Sequence, residues 1–291
     1  MVELSVVLVV ISITLAGTLT LMKKKTEFER QEQTTNTLEE IEKQLAVFVA
    51  DNQRLPCPAD GSDEVDATSS NSFGIEVGLP DVSNGCVGSN FDDNSQVFSG
   101  VVPTKTLNLP DDYMFDGWGR RITYAVDFYL AHNNVSNVNC DGTTSTRCLQ
   151  YTSAGTIRVN DENGSALVSN AVYVLVSHGK NGHGAYGYHG SSTRIAFPGT
   201  SDTDEQENSG DDSPYDNIFV QKDETSTFDD SVVYKTKSQL LTAVNAVTDA
   251  SICTKAKAVI DDIGTSSCNG AASETVCLAL ATKIFYWCLD E

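Results

Sequence analysis

The chain has 291 residues, of which 40 are acidic and 19 basic, for a formal net charge of −21. Affinity for phosphate backbones comes from Lys and Arg displacing counterions, so this balance excludes a nucleic-acid binder acting through a basic surface. Hydrophobic residues make up 40% of the chain, enough at this length for a sizeable core, which excludes a mainly disordered protein.

Met1 to Met22 read MVELSVVLVVISITLAGTLTLM, with Glu3 the only ionisable side chain. The uncharged run from Leu4 to Met22, taken as helix at about 1.5 Å per residue, covers roughly 28 Å, close to a bilayer's hydrocarbon thickness. A cleavable secretory signal would need a basic n-region and a shorter apolar stretch ending in a small-residue cleavage site, and neither is present. A membrane-spanning helix is therefore predicted over 1–22. Within it Glu3 is costly unless it finds a partner. Lys23, Lys24 and Lys25 come directly after the span, and the positive-inside rule would keep the C-terminal bulk of the chain in the cytosol. Eight cysteines favour an oxidising compartment instead. A basic leader upstream of Met1 would remove the conflict, and the cysteines are given precedence.

Helical signals continue. Leu38, Ile41, Leu45 and Phe48 form the stripe of an amphipathic helix, whereas 23–37 is polar on nearly every face, with Phe28 the exception. Pro56 and Pro58 stop the helix, so one helix is predicted from the N-terminus to about Asn52, roughly 78 Å long. Residues 59–112, rich in Gly, Ser, Asn and Asp, read as loop with short elements. Strands are predicted at ITYAVDFYL (122–130) and AVYVLV (171–176), with shorter ones at 156–159, 217–220 and 231–234. Together they suggest an antiparallel sheet on the C-terminal half of the long helix. The acidic stretch Ser201 to Pro214 reads as a solvated loop. Helical spacing returns over 238–247, then at about 252–263 and 273–287. The chain thus divides into a transmembrane and polymerisation helix (1–22), its amphipathic continuation (23–55), a globular β-domain (56–250) and a Cys-rich helical tail (251–291).

The N-terminal run Val2-Glu3-Leu4 followed by SVVLVVISITLAG resembles the start of type IV pilins and type II secretion pseudopilins. In that family a basic leader ending in Gly is cut before a Phe that becomes N-methylated. A Glu at the fifth mature position then neutralises the N-terminal amine of a neighbouring subunit, and Glu3 would be that residue. Here no leader, Gly or Phe precedes Met1, and Glu3 lies two positions early. Either Met1 is internal to a longer precursor or the chain is an unprocessed relative, and the first is preferred. The family's usual mid-helix Pro is also absent. Further along, Asp116-Gly117-Trp118-Gly119-Arg120 is similar to the Asp-x-Trp-Gly element of major pseudopilins. YVLVSHGKNGHG (173–184) resembles their strand running into a Gly-rich loop, and FDDSVVY (228–234) the acidic pair and strand after it.

The resemblance implies an α+β, pilin-like fold. It also implies a structural role in a type IV pilus or a secretion pseudopilus, with its own copies or other pilins, an inner-membrane assembly platform and a prepilin peptidase as partners. The precursor would sit in the inner membrane as a single-pass protein before joining an extracellular pilus or periplasmic pseudopilus. The alternative is a membrane-anchored monomer that binds calcium or a partner outside the cytoplasm. No enzymatic activity and no required cofactor are expected.

The cysteines stand at 57, 86, 140, 148, 253, 268, 277 and 288, with no Cys-x-x-Cys, which favours disulfides over zinc. Cys277 and Cys288 on one helix would lie about 16 Å apart, too far to bond. An antiparallel helical hairpin would instead pair Cys253 with Cys288 and Cys268 with Cys277. Near-neighbour pairs Cys57–Cys86 and Cys140–Cys148 would complete the set.

His178, His183 and His189 lie in a Gly-rich loop without the i, i+4 spacing of a zinc helix. Plain surface acidity without a metal is the first reading of these loops. Among metals, calcium is a better expectation than zinc, because its oxygen ligands come from irregular acidic loops and major pseudopilins hold calcium in the loop this sequence resembles. Candidate ligands are Asn181, standing where an Asp is usual, with Asp212, Asp216, Asp229 or Asp230. Ser177 and His178, adjacent on a strand, point to opposite faces and cannot act as nucleophile and base. No Gly-x-Ser-x-Gly elbow and no phosphate-cradling loop occur.

Overall fold

The computed structural model describes residues 2–52, 54–65, 72–77, 86, 90–92, 97–131, 154–191, 193–199, 202–209 and 217–245, with side chains undescribed for 2–20 and 90–92. Helix α1, Val2–Asn52, runs 51 residues without a break, about 76 Å at 1.5 Å per residue. Its stripe Leu38, Ile41, Leu45, Ala46 and Val49 is buried, and Thr34 and Thr37 extend the buried face by a turn. Between residues 21 and 33 every side chain but Glu27 is exposed. Among the described residues no helix is long and apolar enough to cross a membrane. The span predicted at 1–22 lies almost wholly where side chains are undescribed. After α1 the chain turns through Pro56 and Pro58, and Leu55 N–H donates to Leu130 O (2.8 Å).

The head is one curled seven-stranded sheet. Its strands are β1 Asn90–Asp92, β2 Val97–Val101, β3 Thr123–Asp127, β4 Ile157–Asn160, β5 Ala166–Ser177, β6 Ile218–Val220 and β7 Ser231–Thr236. The order is β1-β2-β3-β5-β4-β6, with β7 also on β5. Long β5 divides its pairings, giving 166–171 to β4 and 171–177 to β7. The expected all-antiparallel sheet needs one correction, because β4 and β6 pair in parallel. Parallel neighbours need a long return connection, and antiparallel β5 with the chain after it supplies one between β4 and β6.

Alternation along the strands makes two cores. Tyr124, Val126, Tyr173 and Leu175 pack on the α1 stripe, joined by Leu240 and Val244 from the helical residues 237–245. Ala125, Val174 and Val176 face the other way, onto Ile157, Val159, Phe219 and Val232. An irregularity between Ala171 and Tyr173 lets Val172 share Tyr173's cluster. Each fully buried aliphatic or aromatic side chain stabilises the head by about 1.5–3 kcal/mol.

Two further expectations are corrected. The strand predicted to reach 130 stops at Asp127, and Phe128–Ala131 forms one helical turn, α2. The Asp127 carboxylate accepts Leu130 N–H (3.2 Å), as a helix cap does. The acidic stretch 201–214 is not wholly solvated. It contains helix α3, Thr203–Asn208, capped by the Asp202 carboxylate, and Glu205 and Asn208 are fully buried. Its two inward side chains are held by polar contacts, Glu205 by Asn181 and Asn208 by Asp230 and the Val220 backbone.

Cys57 and Cys86 are joined by a disulfide, their Cα atoms 5.4 Å apart. Arg54 clasps Glu76 with two hydrogen bonds (2.7 and 2.8 Å), and Glu76 also accepts Cys57 N–H. Cys140 and Cys148, Asp212 and Asp216, and the Cys253, Cys268, Cys277 and Cys288 hairpin lie outside the described residues.

Candidate functional site

The site forms where β5 ends. Gly179 (φ +55°) and Gly182 (φ +68°) turn the 178–184 loop sharply. A Cβ on Gly179 would overlap the Asp229 carbonyl, so only glycine permits this approach. The turn delivers Asn181, whose backbone N–H donates to Asp229 Oδ2 (3.0 Å) and whose Nδ2 donates to Glu205 Oε1 (2.7 Å). Asn181 Oδ1 accepts His183 N–H (2.8 Å), which fixes the amide's orientation. Asp229 N–H also donates to Glu205 Oε1 (3.2 Å). From α3, Asn208 Nδ2 donates to Asp230 Oδ2 and to Val220 O, both at 3.0 Å, while its Oδ1 accepts Val220 N–H.

Glu205, Asp229 and Asp230 each contribute a carboxylate oxygen to a group within 4.8 Å. The Asp230 side chain has no solvent exposure, and its Oδ1 is buried with no hydrogen-bond partner among the described residues. Burial, reinforced by the Glu205 charge, pushes the Asp229 carboxyl above the usual range and the Asp230 carboxyl well above it. Burial and mutual repulsion thus disfavour ionising Asp229 and Asp230 together, and a bound cation would relieve both. Three carboxylates, one from α3 and two from the turn before β7, form an oxygen-only donor set that suits a hard divalent ion such as calcium.

Two histidines border this group. His183 Nδ1 lies 3.3 Å from Glu205 Oε2. His178 is fully buried, with Nε2 2.8 Å from Thr123 Oγ1 and Nδ1 3.8 Å from Asp230 Oδ1. Burial, helped by the Arg194 charge, pulls its pKa down to about 3. His189 is exposed and meets the edge of Tyr188 instead. Ser177 and His178 diverge as adjacent strand residues should, Ser177 Oγ donating to Asp116 Oδ2 (2.7 Å).

Asp116 belongs to the turn that clamps the head onto α1. Its Oδ1 accepts the N–H groups of Trp118 and Arg120, both at 2.9 Å, and burial raises its carboxyl. Gly117 N–H donates to Thr34 Oγ1 (3.0 Å), and a Cβ there would collide with the Arg30 carbonyl.

Of the ligand set expected from sequence, the structure brings Asn181, Asp229 and Asp230 together, Asn181 as a hydrogen-bonding brace rather than a free oxygen. Glu205 joins them from a stretch read as solvated. The Asp202-x-x-Glu205 spacing resembles a capped helix start, a signal for α3 but not for which carboxylate turns inward. The Glu3 side chain is outside those described. No family model, no curated protein and no solved structure matches the chain.

Proposed function

We propose that the chain is a pilin-like structural subunit that assembles through α1 into a type IV pilus or a secretion pseudopilus. The supporting observation is the division of α1: its C-terminal part is built into the head's core, while the helix runs on beyond Met22, where it last borders the head, by about twenty residues. The part that runs on begins with an apolar sequence that fits a bilayer before assembly and neighbouring copies after it. Glu3, by pairing with a neighbour's N-terminal amine, sets the register. Glu3→Ala should leave folding and membrane insertion intact and abolish filaments in sheared surface material. Normal filaments from that variant would remove the proposal.

Calcium at Glu205, Asp229 and Asp230 would neutralise the buried carboxylates and lock the 178–184 loop, α3 and the start of β7 together. Membrane association and calcium binding without any filament from the wild-type chain would favour a membrane-anchored monomer instead.

A further inference from the structure

Two clefts flank α1 where it leaves the head. One, of about 510 Å³, is lined by Met22, Lys23, Thr26, Glu27, Arg30, Trp118 and Lys180, three cations against one carboxylate. The other, of about 490 Å³, is lined by Glu29, Glu32, Gln33, Asn36, Asp112 and Tyr113. At about 100° per residue, Lys23, Thr26 and Arg30 continue the stripe that carries Thr34, Thr37 and Ile41 under the head. The basic cleft is therefore the packing stripe running on past Trp118. The acidic set stands roughly 100° around the helix from it.

Part of each cleft's charge is already committed. Lys180 pairs with Glu27 (2.7 Å) and Lys25 with Glu29 (3.4 Å). Lys23 and Arg30 on one side, and Glu32 and Asp112 on the other, make no ion pair among the described residues. These are two unlike, complementary surfaces on one chain, the basic one floored by Met22 and Trp118.

We infer that the occupant of each cleft is a second copy of this chain, Lys23 and Arg30 of one copy docking against Glu32 and Asp112 of the next. The inference rests on the filament reading and adds the surfaces that set the stacking. The helix residues lining the two clefts are centred about seven to eight positions apart, so parallel α1 helices joined this way are staggered by roughly 11 Å. A contact between unlike patches does not close on itself as a symmetric pair does, and repeats into an open array. Its charges are exposed, so added salt weakens it.

The test mixes unlabelled and nitrogen-15-labelled full-length chain in bilayer vesicles and in filaments and applies a carbodiimide, which joins only touching amines and carboxylates. Mixed-label peptides linking Lys23 to Glu32 or Asp112 are expected. In assembly assays Arg30→Glu and Glu32→Arg should each lower filament yield about tenfold, and the double variant should restore it. Filaments without the mixed-label link, or unaffected by either reversal, overturn the docking and leave the subunit reading standing. The link without filaments supports the docking and overturns the filament. Neither link nor filament overturns both.

Discussion

The Asp230 carboxylate and the His178 imidazole face each other at 3.8 Å with neither side chain exposed to solvent. Both are held towards their neutral forms, the imidazole at a pKa of about 3 and the carboxyl well above its ordinary range. The pair gives opposite pH dependences. The unfolded chain protonates His178 near 6.5, so its contribution is present above that pH and lost towards about 3. Asp230 holds its proton more tightly in the folded state, so its contribution is lost as pH rises from about 3.8 through the raised value. His178→Asn removes the first effect. In chelator, urea unfolding should show the variant gaining about 2 kcal/mol on wild type between pH 7 and pH 5. Parallel pH profiles would contradict a neutral buried His178.

Calcium should stabilise the head by about 2.7 kcal/mol at a hundredfold excess over Kd. Asp230→Asn should abolish that gain while leaving the cation-free protein at least as stable, because it removes one of three crowded carboxylates. Thermal unfolding with calcium and with chelator measures both. An unchanged calcium shift in Asp230→Asn would place the ion elsewhere.

Gly117→Ala should destabilise by about 2 kcal/mol or more, since the new methyl meets helix backbone at Arg30 that cannot yield. Gly119→Ala, at φ +76° but in open space, should cost only about 1–2 kcal/mol of backbone strain. Urea denaturation of the two variants gives the order, and a reversed order would mean the turn is not clamped on α1.

Replacing Cys57 and Cys86 by serine opens a link between residues 29 apart in sequence. The chain-entropy relation for that loop gives a loss of about 3–4 kcal/mol. Chemical denaturation of the double variant, against the oxidised wild type, measures it.

The long helix was legible because its stripe repeats over several turns and two prolines mark its end. Strand β2, VFSGV, was not, because five residues with an internal glycine carry little period. Its pairing with β3 and with Ala59 makes it a strand. β-Branched and aromatic residues in β4 and β6 mark them as strands but say nothing of the direction in which they pair. At the site, the likeness of 173–184 and 228–234 to a calcium-holding loop pointed to Asn181, Asp229 and Asp230, together with Asp212 and Asp216, which lie outside the described residues. Glu205 was not legible, because in a run of acidic residues composition hides the one whose partners, here Asn181 and His183, come from elsewhere in the chain.

The way α1 enters the core also decides how the molecule bears load. Its buried residues from Thr34 to Val49 span about 22 Å along the helix axis. A pull on the N-terminal end acts along that axis and strains all of these contacts at once, as shear, instead of peeling them one after another. The force meets the exposed Lys180–Glu27 ion pair first, and the Gly117–Thr34 hydrogen bond marks where it enters the buried contacts. A subunit drawn out by its helix would bring a folded head with it.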